Sequence, residues 1–113
     1  MEYSKPLVAQ INLNTAIELF FKGTNPVAVE TLNSASNDIL RVLADREGIK
    51  SILHENELIE EKDKKVWYKF LHLPPNFFKH ANRDPDGTLE YNPDLVTLHL
   101  AESCHLAMCL FSN

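Results

Sequence analysis

The chain has 113 residues, 44% of them hydrophobic and 24% charged, and a net charge of −5. That length and balance suit one helical or mixed globular domain over residues 1–113, large enough to bury a core without metals or disulfides. The acidic balance argues against broad, sequence-independent binding to duplex DNA, which needs a basic surface to displace counterions, but leaves room for a local basic patch.

The first ten residues, MEYSKPLVAQ, lack the basic start and apolar run of a secretory leader. Ser4-Lys5-Pro6 instead predicts a helix start, with a cap-like hydroxyl and a proline in the first turn. Leu13, Ala16, Ile17, Phe20 and Phe21 follow at helical spacing, and Gly23 is a natural stop. Asn25-Pro26 restarts the chain in the same way. The second helix is expected to bury Ala28, Leu32, Ala35, Ile39 and Leu43, with Val29, Ser36 and Leu40 beside them. Arg46 in its last turn and then Gly48 mark its end. The short link makes the two helices an antiparallel hairpin.

Residues 49–58 fit either a short helix or an irregular crossover. The run from Glu55 to Lys65 places acids before bases, the pattern of a solvated helix start. Val66, Trp67, Phe70 and Leu71 give a third apolar stripe. Pro74-Pro75 is expected to end it, because neither ring donates a hydrogen bond and each restricts the residue before it.

Asn92-Pro93 predicts the start of the last helix. Leu100, Cys104, Ala107, Met108 and Phe111 share one face. The other side mixes Leu95, Leu98, Leu106 and Cys109 with His99, Glu102 and His105. With those three polar residues the segment Leu95 to Phe111 is too short and too polar for a bilayer span, and the three are expected to face solvent or a partner. Their spacing of three does not match the i, i+4 histidine pair of a helical metal site, so no metal ligand is assigned. His54 and His72 carry no readable signal. Cys104 and Cys109, separated by five steps of about 100°, point apart on a helix and read as buried free thiols in a reducing cytosol. The fold class is therefore all-α, an antiparallel helical bundle of four main helices. The expected location is cytoplasmic, with no membrane association, no cofactor and a homodimer formed through the last or the second helix.

Candidate chemistry sits in NFFKHANRDPDGTLEYNPD, Asn76 to Asp94. Asn76 and His80 are one helical turn apart. An imidazole can take a proton from a hydroxyl, an amide can orient an oxygen, and Lys79 adds positive charge that suits a phosphate. The structural alternative has Pro75 start a helical turn, Phe77 and Phe78 fill the core, and Lys79 and His80 face water. Asn82, Asp84, Asp86 and Gly87 match positions of a calcium loop, but Pro93 stands where the bidentate Glu belongs. Asp84-Pro85-Asp86-Gly87 therefore reads as a type I or II turn, with positive φ expected at the glycine.

The stretch N-F-F-K-H-A-x-R-D-P-D, followed by T-L-E-Y-N-P, resembles a family of small bacterial helical proteins without an assigned activity. The similarity spans about Thr15 to Leu110. More distantly, Asn76 and His80 resemble the motif of the HEPN superfamily, whose members include dimeric, metal-independent ribonucleases. That motif has an arginine before the polar residue. Here the position is Pro75, and Arg83 comes after the histidine. The resemblance implies a HEPN-like module that binds RNA or a nucleotide-bearing partner without catalysis, with Asn76, Lys79, His80 and Arg83 as ligand contacts. In its catalytic version His80 is the general base and Asn76 orients the phosphate. The competing expectation is a non-catalytic interaction or scaffold protein in which NFFKH and DPDG are structural only.

Overall fold

A computed structural model describes residues 1–112. Four α-helices account for most of the chain: α1 (Lys5–Phe21), α2 (Pro26–Arg46), α3 (Lys64–Lys79) and α4 (Leu95–Phe111). A short 3₁₀ turn, Glu61–Asp63, leads into α3, and no strand is present among the described residues. Among the described residues, no helix is long and apolar enough to cross a membrane.

The first two helices begin and end where their local chemistry requires. Ser4 Oγ accepts from the backbone N–H of Leu7 at 3.3 Å, and Asn25 Oδ1 accepts from that of Val27 at 2.9 Å. Each occupies a donor that the helix itself cannot satisfy. Gly23 and Gly48 adopt φ of 73° and 71° just past the two C-termini. This left-handed turn lets Thr24 N–H reach Leu19 O at 3.0 Å and Ile49 N–H reach Ala44 O at 2.9 Å, closing both helix ends. Ser36 Oγ donates to Ala9 O at 2.7 Å, which locks α2 against α1 on the way back from the link.

The core lies among α1, α2 and α4. Ala9, Leu13 and Ala16 meet Val29, Leu40 and Ala44, and Val96, Leu100 and Leu106 complete the cluster. The small residues on α1 let the backbones approach closely, as the Ser36–Ala9 bond shows. The third helix packs on α2 and makes no close backbone approach to α4.

Several expectations are corrected here. α3 runs through Pro74 and Pro75 to Lys79. A proline φ is compatible with a helix, and the cost is a lost N–H and a clash with the preceding turn. Both rings are buried, and that packing offsets the cost. Of the third stripe, Leu71 is buried but Val66 and Phe70 are exposed. The buried face of α2 is rotated from the apolar one: Ala28 is exposed, while Glu30, Asn33, Ser34 and Asn37 are buried. On α4, Met108 is exposed, and His99 and Glu102 are 8% and 2% exposed rather than facing solvent. Cys104 is half-buried and Cys109 exposed, so the thiols are free but not both interior.

Residues 49–60 form an irregular, turn-rich crossover without a helix. Ion pairs Lys62–Glu60 and Lys64–Glu61 follow, at 3.4 Å and 3.0 Å, in the solvated charge run expected of that stretch. Gly87 N–H donates to Asp84 O at 2.9 Å, closing a turn over Asp84–Gly87. Neither Asp86 nor Gly87 has positive φ. That excludes type II, and the glycine serves space rather than φ, since a Cβ there would lie 3.1 Å from Asp84 O. Asn92 caps the last helix, its Oδ1 accepting from Asp94 N–H at 3.0 Å, although regular α-helix begins at Leu95.

Candidate functional site

Two features meet along α3: an internal polar network and an open basic groove. The network starts on α2. Glu30, Asn33 and Asn37 recur at helical spacing, so they occupy one stripe facing α4. There they meet His99, Glu102 and Ser103. Glu30 Oε1 is hydrogen-bonded to His99 Nδ1, and Glu30 Oε2 accepts from the Tyr91 hydroxyl at 2.7 Å. Asn37 Nδ2 donates to Ser103 Oγ at 3.1 Å, and Asn37 Oδ1 accepts from Arg41 Nε at 3.1 Å. These bonds satisfy the Glu30 carboxylate and the Asn37 amide where apolar neighbours would leave them stranded.

Glu102 turns toward the 49–60 crossover. Its Oε1 accepts from His54 Nδ1 at 3.0 Å and is also bonded to Ser51 Oγ. The His54 backbone N–H donates to Ser51 Oγ at 3.0 Å. His54 Nε2 then lies 2.9 Å from His72 Nε2 on α3. Trp67 Nε1 donates to Leu53 O at 2.6 Å, a second tie between the crossover and α3. An irregular segment is thus fixed by side chains that arrive from sequence positions far apart.

A cavity of about 20 Å³ lies between α2 and α3, walled by Asn33, Asn37, His54, His72 and His99 among others. It has room for one water-sized group. Both amide atoms of Asn33 and Oε2 of Glu102 are buried without a hydrogen-bond partner among the described residues. No three His, Cys, Asp or Glu side chains among the described residues are arranged to hold a metal ion.

The electrostatics follow from this burial. Loss of hydration pushes Tyr91 well above the ordinary phenol range, and its bond to Glu30 adds to the rise. Burial, then the neighbouring His54, lowers His72 to about 4. Burial alone would raise Glu102, but the hydrogen bonds from His54 and Ser51 outweigh it and hold the carboxyl below its usual range.

The groove runs along the outer side of α3 and encloses about 850 Å³. Asn76, His80 and Arg83 line it together, as do Lys65, Lys69, Tyr68 and Phe77. Lys79 does not. Its Nζ donates to Ser34 Oγ at 2.9 Å and lies 3.8 Å from Asp38 Oδ2, on the α2 side of the helix. No hydrogen bond joins the Asn76 and His80 side chains among the described residues. The His80 backbone N–H donates to Asn76 O at 3.1 Å, closing the end of α3. His72 belongs to both features, since it walls the internal cavity and the groove alike. Its ring stacks on Tyr68 with centroids 4.1 Å apart.

Sequence reasoning placed three of the groove residues and missed the network. A signal existed. Polar residues at Glu30, Asn33, Ser34 and Asn37, recurring along one side of α2, mark a polar seam. His99, Glu102 and Ser103 repeat the pattern on α4. Nothing in the sequence tied His54 or His72 to either stripe.

Fold and site together define an all-helical protein whose buried histidine–carboxylate network borders a basic, aromatic groove. No protein-family model, curated protein or solved structure matches the chain.

Proposed function

We propose that the groove on α3 binds single-stranded RNA, which makes the chain a HEPN-like RNA-binding module. One observation carries this reading. Lys65, Lys69 and Arg83 line one open channel together with Tyr68 and Phe77 and a single carboxylate, Asp84, on a protein whose overall charge is −5. Cations spaced along a groove track phosphates, and aromatic faces between them stack bases without regard to sequence. Asn76 and His80 line the same channel and offer hydrogen bonds to ribose or phosphate. Lys79 does not line the channel, so it is not among the ligand contacts. The reading includes an antiparallel bundle that pairs as a homodimer through α4 or α2, and the exposed Leu98 and Met108 supply apolar surface for it.

A second reading has its own observation. Between α3 and α4 lies an apolar cleft of about 590 Å³, lined by Phe70, Leu73, Pro74, Leu95 and Leu98. A scaffold protein that receives a partner helix would use such a cleft. The two readings separate by titration of a fluorescent single-stranded oligoribonucleotide at low salt, monitored by anisotropy. Binding that falls at least about tenfold in a Lys69→Ala, Arg83→Ala double variant, with a shallower salt dependence, supports the groove, since each cation lost from a phosphate weakens binding whatever the sequence. Absence of binding by the wild-type chain overturns the RNA reading.

A further inference from the structure

α3 carries two adjoining surfaces of opposite charge. Lys65 and Lys69 line the groove with Arg83. The neighbouring surface is the apolar cleft of about 590 Å³ between α3 and α4, whose only charged lining residues are Glu90 and Asp94. Both are exposed, and neither enters an ion pair among the described residues. Of the residues that line the groove, only Leu73 also lines the cleft.

The cleft exists because one side of the helical assembly is not closed. α1 packs on α2 and α2 on α4, whereas α3 and α4 make no close backbone approach. Phe70 and Leu73 on α3 and Leu98 on α4 are left 51%, 45% and 48% exposed, beside the buried Pro74 and Leu95 of the same lining. That is apolar area a partner can still remove from water.

The shape favours a helix over a small molecule. A small ligand is held where most of its surface is buried. Here the walls are two helices, and their apolar side chains are half open to water. A helix laid along them offers its own apolar residues at i, i+3 or i+4, and i+7 to both walls. The charge of that helix follows from the lining. An apolar partner strips water from nearby carboxylates, at a cost that a cation on the partner offsets. The cleft supplies no cation of its own.

We propose that the cleft receives a cationic amphipathic helix of a partner protein. Phe70, Leu73 and Leu98 meet its apolar face, and Glu90 and Asp94 pair with lysine or arginine on its flank. The inference rests on the partner-helix reading of the cleft and is independent of RNA. The overall charge of −5 favours encounter with such a helix. An acidic helix would set like charges against Glu90 and Asp94. A homodimer through α2, or through Met108 at the other end of α4, leaves the cleft open.

The test uses the full chain and fluorescein-labelled model helices read by anisotropy. All carry the same leucine face, and their polar faces are lysine-rich, glutamine-rich or glutamate-rich. The lysine helix is expected to bind, and the glutamate helix to bind at least about tenfold more weakly. A Glu90→Gln, Asp94→Asn double variant is expected to weaken the lysine helix about threefold and leave the glutamine helix unchanged, a split that mere loss of structure would not give. Phe70→Ala with Leu98→Ala is expected to weaken the lysine helix at least about tenfold, and Leu98→Ala alone to weaken it in the same direction. Circular dichroism confirms that the variants fold. Equal binding of all the helices, lost with Phe70 and Leu98, overturns the charge assignment and leaves the partner-helix reading standing. Absence of binding by every helix overturns both. Lysine-helix binding that survives without Phe70 and Leu98 places it elsewhere on the acidic surface and overturns the proposal. Self-association of the wild-type chain in sedimentation, abolished by the same pair of substitutions, assigns the cleft to a second copy and overturns it too.

Discussion

Glu102 on α4 accepts a hydrogen bond from His54, 48 residues earlier in the chain, at 3.0 Å in an interior where the two side chains are 1% and 8% exposed. A charged acceptor in that setting is stable only with its donors in place. Glu102→Ala strands His54 Nδ1 and Ser51 Oγ and is expected to lower the unfolding free energy by about 3–5 kcal/mol, read by denaturant titration. The pH dependence has a fixed sign. The folded pKa of Glu102 lies below its ordinary 4.5, so its stabilisation is complete above that value and is lost as pH falls through the folded pKa. Denaturant midpoints should decline on acidification below about pH 4.5, and Glu102→Gln should show less of that decline.

His72 predicts a separate window. Its folded pKa is lowered from 6.5 to about 4, so between those values the unfolded chain binds more protons than the folded one. Stability contributed by neutral His72 is therefore present above pH 6.5 and lost as pH falls toward 4. His72→Gln removes this titration. Its stability should vary less steeply with pH across that interval than the wild type does, measured by urea midpoints at half-unit steps.

Tyr91 reaches Glu30 from the segment before α4, at 2.7 Å. Tyr91→Phe keeps the ring and its edge contact with Phe78 but leaves a buried carboxylate oxygen without a donor. The expected loss is about 1–3 kcal/mol, checked by thermal or chemical unfolding. A loss below a few tenths would show that Glu30 Oε2 finds another donor.

Helix capping gives a local prediction. Asn25→Ala removes the acceptor for Val27 N–H, now 2.9 Å from Oδ1, and should cost about 1 kcal/mol. Ser4→Ala should cost less, because its bond to Leu7 N–H is longer, at 3.3 Å, and the first turn of α1 is exposed.

The groove and the network differ in how far they could be read from the residues alone. Asn76, His80 and Arg83 lie close together in sequence, near the end of one helix, so local spacing was enough to group them. Lys79 was grouped with them by the same logic and proved to face α2, because helical phase turns adjacent residues about 100° apart. The His54–Glu102 and His54–His72 contacts join segments 48 and 18 residues apart, and no local period records such distances.

The sequence by itself determined the ends of α1 and α2. Ser4, Asn25, Gly23 and Gly48 act through bonds within a few residues, and such bonds depend only on local chemistry. It also determined the helical class, since apolar residues recur at helical spacing throughout. Tertiary structure alone decided which face of α2 and α4 is interior. Hydrophobicity ranks side chains one at a time, and on that scale Glu30, Asn33, His99 and Glu102 belong outside. They are buried because each finds a partner on another element or lines the shared cavity. It likewise decided that α3 passes through Pro74-Pro75, where burial of both rings outweighs a local cost that the sequence states plainly.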